Sequence, residues 1–291
     1  MKTINKLSNK NTLVITDSNV VIGLKGNVLY IKHDNTDIDY YTPDNFYFNL
    51  IFSFGISGYI TIGAIKWLSQ RNCSYILSDL NGNIISYIIP NSKETDPHIL
   101  LNQFNAYKTK QEIIANHILN IKYINQNKLL ESLNLERITK NYSEQINAKI
   151  YFQRLNPLIN QYGYDFESRA GIYHVLNKTA VNMVNACLNL SYGYILSKLM
   201  VELESHGLTH KISFIHKPQI TKLSLAYDLL EYLRSDIDKV ILSLLKNKKI
   251  QQSQFNIIDH TYYLHKDPRQ LILNLQSIDV KYPVVDLINQ F

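Results

Sequence analysis

One feature constrains the fold of this 291-residue chain more than any other: its hydrophobic period changes once, at a polar break bounded by Pro90 and Pro97. Before the break the apolar residues come in short runs separated by turn formers. Leu13–Ile15, Val20–Leu24 and Val28–Ile31 are such runs, with Gly26-Asn27 between the last two, and Asp37–Tyr41 follows. After the break the spacing is helical over Ile99–Leu119, Ser143–Leu155, Thr179–Glu204 and Leu223–Leu245. The last of these sets Leu223, Ala226, Leu230, Leu233, Ile237, Val240 and Leu244 on one stripe. Short strand-like runs followed by long helical ones predict an α+β chain of more than one domain. The boundaries fall at 1–91 for a β-rich domain, 92–98 for a linker and 99–291 for an α-helical domain.

Between Asp44 and Lys66 no residue is charged, which raises the question of a membrane span. Asn45, Asn49, Ser53, Ser57 and Thr61 answer it, because hydrocarbon would leave their polar groups unsatisfied. The segment is expected as a buried strand running into a short helix, Thr61–Gln70. Its apolar character also calls for a covering surface. Further on, Tyr75–Leu77 and Ile84–Ile89 flank Asn81-Gly82, which predicts a hairpin.

Composition removes several function classes. Two cysteines, Cys73 and Cys187, support neither a disulfide scaffold nor a Cys-based zinc knuckle. Ten glycines include no Gly-rich phosphate loop or dinucleotide fingerprint. The excess of 30 basic over 24 acidic residues, a formal charge of +6, points modestly to a polyanionic partner. Met1 to Asn11 is polar and has no apolar core of a signal peptide, so a cytoplasmic location is expected.

The residues able to carry chemistry cluster late in the chain. On a helix from Leu223, Asp228 and Glu231 stand at i and i+3, side by side. Adjacent like charges cost a helix roughly 0.2–0.5 kcal/mol, and a divalent cation would turn that cost into a gain. A solvated acidic face near the helix N-terminus, where the dipole favours carboxylates, is the commoner explanation for such a pair taken alone. His216 ends the apolar run Ile212–Ile215 just before Pro218, at a strand or loop end. Glu144 opens a helical run that Asn141 or Ser143 could cap, and there it either binds a ligand or complements the dipole. Spacing alone does not bring Glu144, His216 and Glu231 together.

Three blocks resemble the integrase family of CRISPR adaptation, the first Cas protein (Cas one). EQINAKIYFQRL from Glu144 is similar to the family block in which a metal-binding Glu begins a helix. NACLNLSYGYIL from Asn185 resembles the central Asn- and Tyr-bearing helix. SFIHKPQITKLSLAYDLLEYLR from Ser213 resembles the segment bearing a His and, twelve and fifteen residues later, two carboxylates, here His216, Asp228 and Glu231. Lys122–Gln126 looks like the family's Lys-Ile-x-Asn-Gln stretch, and YYLHKDPRQLIL like its C-terminal block. Gln145 stands where the family often has Gly, and Lys222 where an Arg is common.

The resemblance implies an N-terminal β-sandwich-like dimerisation domain followed by an all-α catalytic domain. It implies that Glu144, His216 and Glu231 hold Mg²⁺ or Mn²⁺, with Asp228 beside them orienting a ligand or binding water. A carboxylate–imidazole set without thiolate suits those ions better than structural zinc. The implied activity is a metal-dependent DNA integrase and endonuclease that joins spacer-precursor 3′-hydroxyl ends into a repeat array. Lys222 and Arg234 are the candidate DNA contacts. The implied partners are double-stranded and branched DNA, a second copy of the chain and the second Cas adaptation protein (Cas two), with no membrane. A stand-alone or transposon-borne homologue of the same integrase, and a non-catalytic DNA-binding scaffold, are the alternatives.

Overall fold

The protein is described here as a computed structural model. It covers residues 12–17, 19–34, 37–54, 57–90, 96–139, 144–167, 180–217, 223–264 and 268–291, without the side chains of Pro268 and Arg269. The expectations placed on residues 1–11, on most of the linker, on the caps Asn141 and Ser143, and on Lys222 lie outside these residues.

In chain order the first elements are β1 (Thr12–Ile15), β2 (Asn19–Lys25), β3 (Val28–Lys32), β4 (Ile38–Tyr41), β5 (Leu50–Ser53) and β6 (Ser57–Ile60). Helix α1 (Ile62–Ser69), β7 (Ser74–Ser78) and β8 (Ile84–Ile88) follow. The second part holds α2 (Pro97–Ser132), α3 (Glu144–Gln161), α4 (Met183–Ser205), α5 (Ser224–Lys246), β9 (Phe255–Ile258), β10 (Thr261–Leu264), α6 (Pro268–Leu275) and α7 (Lys281–Ile288). These elements form two compact units, one within Met1–Asp79, Asn83–Glu94 and Arg269–Ser277, the other within Leu80–Gly82, Thr95–Pro268 and Ile278–Phe291.

The first unit is built on two four-stranded sheets of order β1-β5-β7-β8 and β4-β3-β2-β6. The first sheet pairs β1, β5 and β7 in parallel and adds β8 antiparallel. The second runs antiparallel through β4, β3 and β2, then takes β6 in parallel. Ile15 and Ile51 of one sheet and Ile22, Leu29 and Ile31 of the other share a core with Trp67 and Leu68 of α1. The uncharged segment yields one strand more than expected. β5 is buried throughout, whereas β6 is an exposed edge strand that precedes α1. Thr61 caps α1, its Oγ1 accepting from the Ala64 amide. A C-terminal stretch also belongs to this unit, with Gln276 Nε2 donating to the Thr12 carbonyl.

In the second unit α2 spans about 54 Å. Asp96 caps it and Pro97 occupies its first turn, where no amide hydrogen is needed. The helix runs through Lys122–Gln126, well past the expected Leu119. α4 is buried on nearly all sides, and α5 packs against both α2 and α4. The helical unit carries one β element that the expected all-α domain lacked, the antiparallel hairpin of β9 and β10. The Asn81-Gly82 turn sits against α4 so closely that a Cβ on Gly193 would lie 2.0 Å from the Gly82 carbonyl oxygen. Among the described residues no helix is long and apolar enough to cross a membrane.

Candidate active site

The site is built around α5, whose buried face carries polar residues amid the apolar stripe. Asp228, Glu231, Ser235 and Asp238 are all buried there. An unpaired buried carboxylate would be costly, and each of the three has partners that tie α5 to a neighbouring segment.

Asp228 organises the loop before α5. Its Oδ2 accepts from the amides of Phe214 at 2.6 Å and Ile215 at 3.0 Å. Its Oδ1 accepts from the His216 amide at 3.2 Å and lies 2.6 Å from His216 Nδ1. The loop is held from the other side as well. Gln103 of α2 donates to the carbonyls of Thr209 and Ile212, and Ser213 Oγ to that of His216. A carboxylate can only accept, so Nδ1 is the donor and Nε2 keeps the lone pair of the neutral ring. The hydrogen bond to Asp228 raises the His216 pKa, with burial working against it. The imidazole is half-exposed, aimed and oriented from behind, as in carboxylate–histidine pairs that serve metals.

Glu231 points to α2 and α3. Lys122 Nζ lies 2.6 Å from its Oε2, and Arg234 Nε donates to the same oxygen at 2.8 Å. Burial alone would raise the Glu231 carboxyl, but Arg234 and Lys122 outweigh it and hold it below its ordinary value. The same Lys122 ammonium lies 2.5 Å from Oε1 of Glu144, the first residue of α3. Arg234, expected as a DNA contact, also stacks its guanidinium on Tyr192 at 4.9 Å. Lys248 donates to the Tyr162 carbonyl and lies over the Tyr164 ring, so that lysine of the α5 end braces the unit.

One buried and one part-buried network keep these helices in register. Asp238 accepts from Tyr151 of α3 at 2.8 Å and from Tyr192 of α4 at 2.5 Å. Tyr232 donates to Asp286 of α7, which also receives His117 of α2, while Asn125 of α2 donates to the Tyr232 carbonyl. Such satisfied networks fix one packing of α2, α3, α4 and α5.

Glu144 and Glu231 are thus brought together on one ammonium, and His216 is paired with Asp228. Among the described residues no three His, Cys, Asp or Glu side chains close on a common point as metal ligands. The donor set nonetheless fits a hard divalent ion. Two carboxylates already hold a compact cation between them, the His216 imidazole keeps its Nε2 out of the bond to Asp228, and both cysteine thiols are buried and pushed up to about 12 by burial. Lys122, which joins Glu144 to Glu231, lies in a stretch that the sequence pattern singles out without giving this lysine a role. Its signal is position, because it continues the buried line Ile114, Ile118 of α2 at the same four-residue step.

The fold and site define a two-sheet unit followed by a helical unit with an acidic, histidine-bearing centre. A profile described as CRISPR associated protein Cas1 matches residues 13–148 and 141–276, and the chain belongs to that family. CRISPR-associated protein Cas1 3 of Methanobrevibacter ruminantium is 26% identical over 254 residues, which span 74% of this chain and 72% of that one. A CAS1 protein from Thermotoga maritima has the same fold, with a TM-score of 0.80 at 16% identity over 96% of both chains. So does a casposase bound to integration product, with a TM-score of 0.78 at 21% identity over 92% of this chain and 82% of that one.

Proposed function

We propose that the protein is a metal-dependent DNA integrase and endonuclease of CRISPR adaptation. The observation that carries this reading is the convergence of Glu144 and Glu231 on one cation, and the fold supplies a separate imidazole oriented by Asp228. Glu144, Glu231 and His216 would hold Mg²⁺ or Mn²⁺, which when bound polarises the scissile phosphate and eases loss of a proton from a hydroxyl or water. Asp228 keeps the His216 ring in the tautomer whose Nε2 lone pair faces outward, and Arg234 fixes the Glu231 carboxylate. In strand transfer the incoming 3′ oxygen forms a new P–O bond to the scissile phosphate as one existing P–O bond breaks. One phosphodiester replaces another, and no nucleotide cofactor is consumed.

Double-stranded and branched DNA are the proposed substrates, and a second copy of the chain and the second Cas adaptation protein the proposed partners. Support for self-association comes from the first unit, where Tyr47, Tyr59 and Ile62 are 74%, 62% and 74% exposed along the uncharged segment. Phosphate contacts beyond the centre are assigned to basic residues including Lys222, which lies outside the described residues. Incubation of His216→Ala with branched DNA and Mn²⁺ tests the reading. The account expects nicking and joining by the parent protein only with a divalent ion and none by the variant, at a temperature where circular dichroism shows both folded. Undiminished activity of a folded variant would sink it.

A further inference from the structure

Lys122 has an unusual position for a lysine. Its side chain is 8% exposed, it sits on the buried line of α2, and its ammonium touches carboxylates from two other helices. The contacts are 2.5 Å to Glu144 Oε1 and 2.6 Å to Glu231 Oε2, so the two oxygens face one point. Hard divalent ions take oxygens from such convergent carboxylates, and here the point is filled by a positive charge of the chain itself. An ammonium and a metal ion cannot occupy it together, because both need the same lone pairs and like charges repel.

Resting on the metal reading above, we propose that Lys122 is a built-in counter-cation that occupies the metal position in the metal-free protein and is displaced when the ion binds. The arrangement solves a folding problem first. Without Lys122, buried Glu231 and the more exposed Glu144 would repel each other, and a buried charge that loses a partner is destabilising. With Lys122 and Arg234 both in place, two cations match the two carboxylates where α2, α3 and α5 meet. The displaced side chain has somewhere to go. A cleft of about 230 Å³ opens beside it, lined by Asn116, Asn120, Tyr123, Glu144 and Asn147 as well as Lys122. Arg234 remains on Glu231 Oε2 throughout and keeps that carboxylate aimed.

Competition and cooperation predict opposite effects of removing the lysine. Mn²⁺ affinity of the full chain, measured by titration calorimetry, is compared for the parent protein, Lys122→Met and Glu231→Gln. Lys122→Met should melt at a lower temperature without metal and bind Mn²⁺ about tenfold tighter, with the melting temperature recovered at saturating Mn²⁺. An independent readout on the parent protein covers a variant that does not fold. Amine acylation read by mass spectrometry should spare Lys122 without metal and label it when Mn²⁺ saturates the site. Equal or weaker Mn²⁺ binding by Lys122→Met, or labelling of Lys122 that metal does not change, overturns the inference. Mn²⁺ binding that Glu231→Gln loses but Lys122→Met does not tighten overturns this inference alone. A parent protein that takes up no Mn²⁺ overturns the metal reading and the inference with it.

Discussion

Asp228 does more structural work than its position beside Glu231 implies. Four hydrogen bonds converge on a carboxylate with no solvent exposure, three of them from the consecutive amides of Phe214, Ile215 and His216. Asp228→Ala would leave those amides without their acceptor, at about 1–3 kcal/mol for the buried Phe214 amide and less for the part-buried amides of Ile215 and His216. Urea denaturation should therefore show a loss of about 3 kcal/mol or more, and a loss below 1 kcal/mol would contradict the role given to this side chain. The i, i+3 spacing of Asp228 and Glu231 was legible in the sequence. That the two point to different neighbours was not, because helical spacing fixes a face and not the partners beyond it. Lys198 offers a pH test in the same unit. Burial pushes its ammonium down to about 8, against the pull of Asp279 and Glu202, from an ordinary value of 10.5. Between those values the unfolded chain holds the proton and the folded chain does not, so this group makes stability rise with pH across that window. Lys198→Met lacks the titration. Its stability relative to the parent should fall by about 2 kcal/mol between pH 7.5 and pH 10 in paired urea titrations, and a constant difference would refute the shift.

Among the elements, α5 was the most readable because its stripe is long and regular. The apolar spacing of α2 ends at Leu119, thirteen residues before the helix does at Ser132, for a physical reason. Its later turns bury Lys122, Gln126 and Asn127 where a simple amphipathic helix would bury apolar side chains. Those residues serve the site and the 138 loop, since Asn127 exchanges hydrogen bonds with the Ile138 backbone. The β9–β10 hairpin was missed because its turn is Asp259-His260, not the glycine-bearing pair that announces such turns. Both residues nonetheless take positive φ, 48° and 61°, as a two-residue hairpin turn with the twist of its strands requires. The Asn81-Gly82 signal was legible, but its closeness to α4 was not. Gly193→Ala would drive a Cβ to 2.0 Å from the Gly82 carbonyl oxygen and should cost about 1–3 kcal/mol. Gly63→Ala, in α1 and with nothing nearer than 3.5 Å, should instead stabilise by about 0.5 kcal/mol. Thermal melts of the two variants that moved in the same direction would refute this account of the packing.

For the molecule as a whole, the α+β organisation followed from one change of hydrophobic period, whereas the meeting of Glu144 with Glu231 depends on packing between helices far apart in sequence. No local pattern encodes that meeting, and only the family resemblance put the two glutamates in one set. The exposed Tyr47, Tyr59 and Ile62 of the uncharged segment lead to an expectation about assembly. Light scattering at micromolar concentration should give twice the 33.8 kDa chain mass, and a purely monomeric solution would reject self-association. DNA affinity should fall steeply as salt rises whatever the sequence, because phosphate contacts release counterions. Catalysis should obey a different control, since carboxylates favour phosphate only with a cation between them. The most direct measurement is therefore strand transfer and DNA binding by Glu231→Gln, which removes the charge and keeps the volume. The account predicts that joining of branched DNA in Mn²⁺ is lost while metal-free DNA affinity stays equal or rises slightly. A variant that binds DNA poorly yet still joins it would contradict both the site and the mechanism.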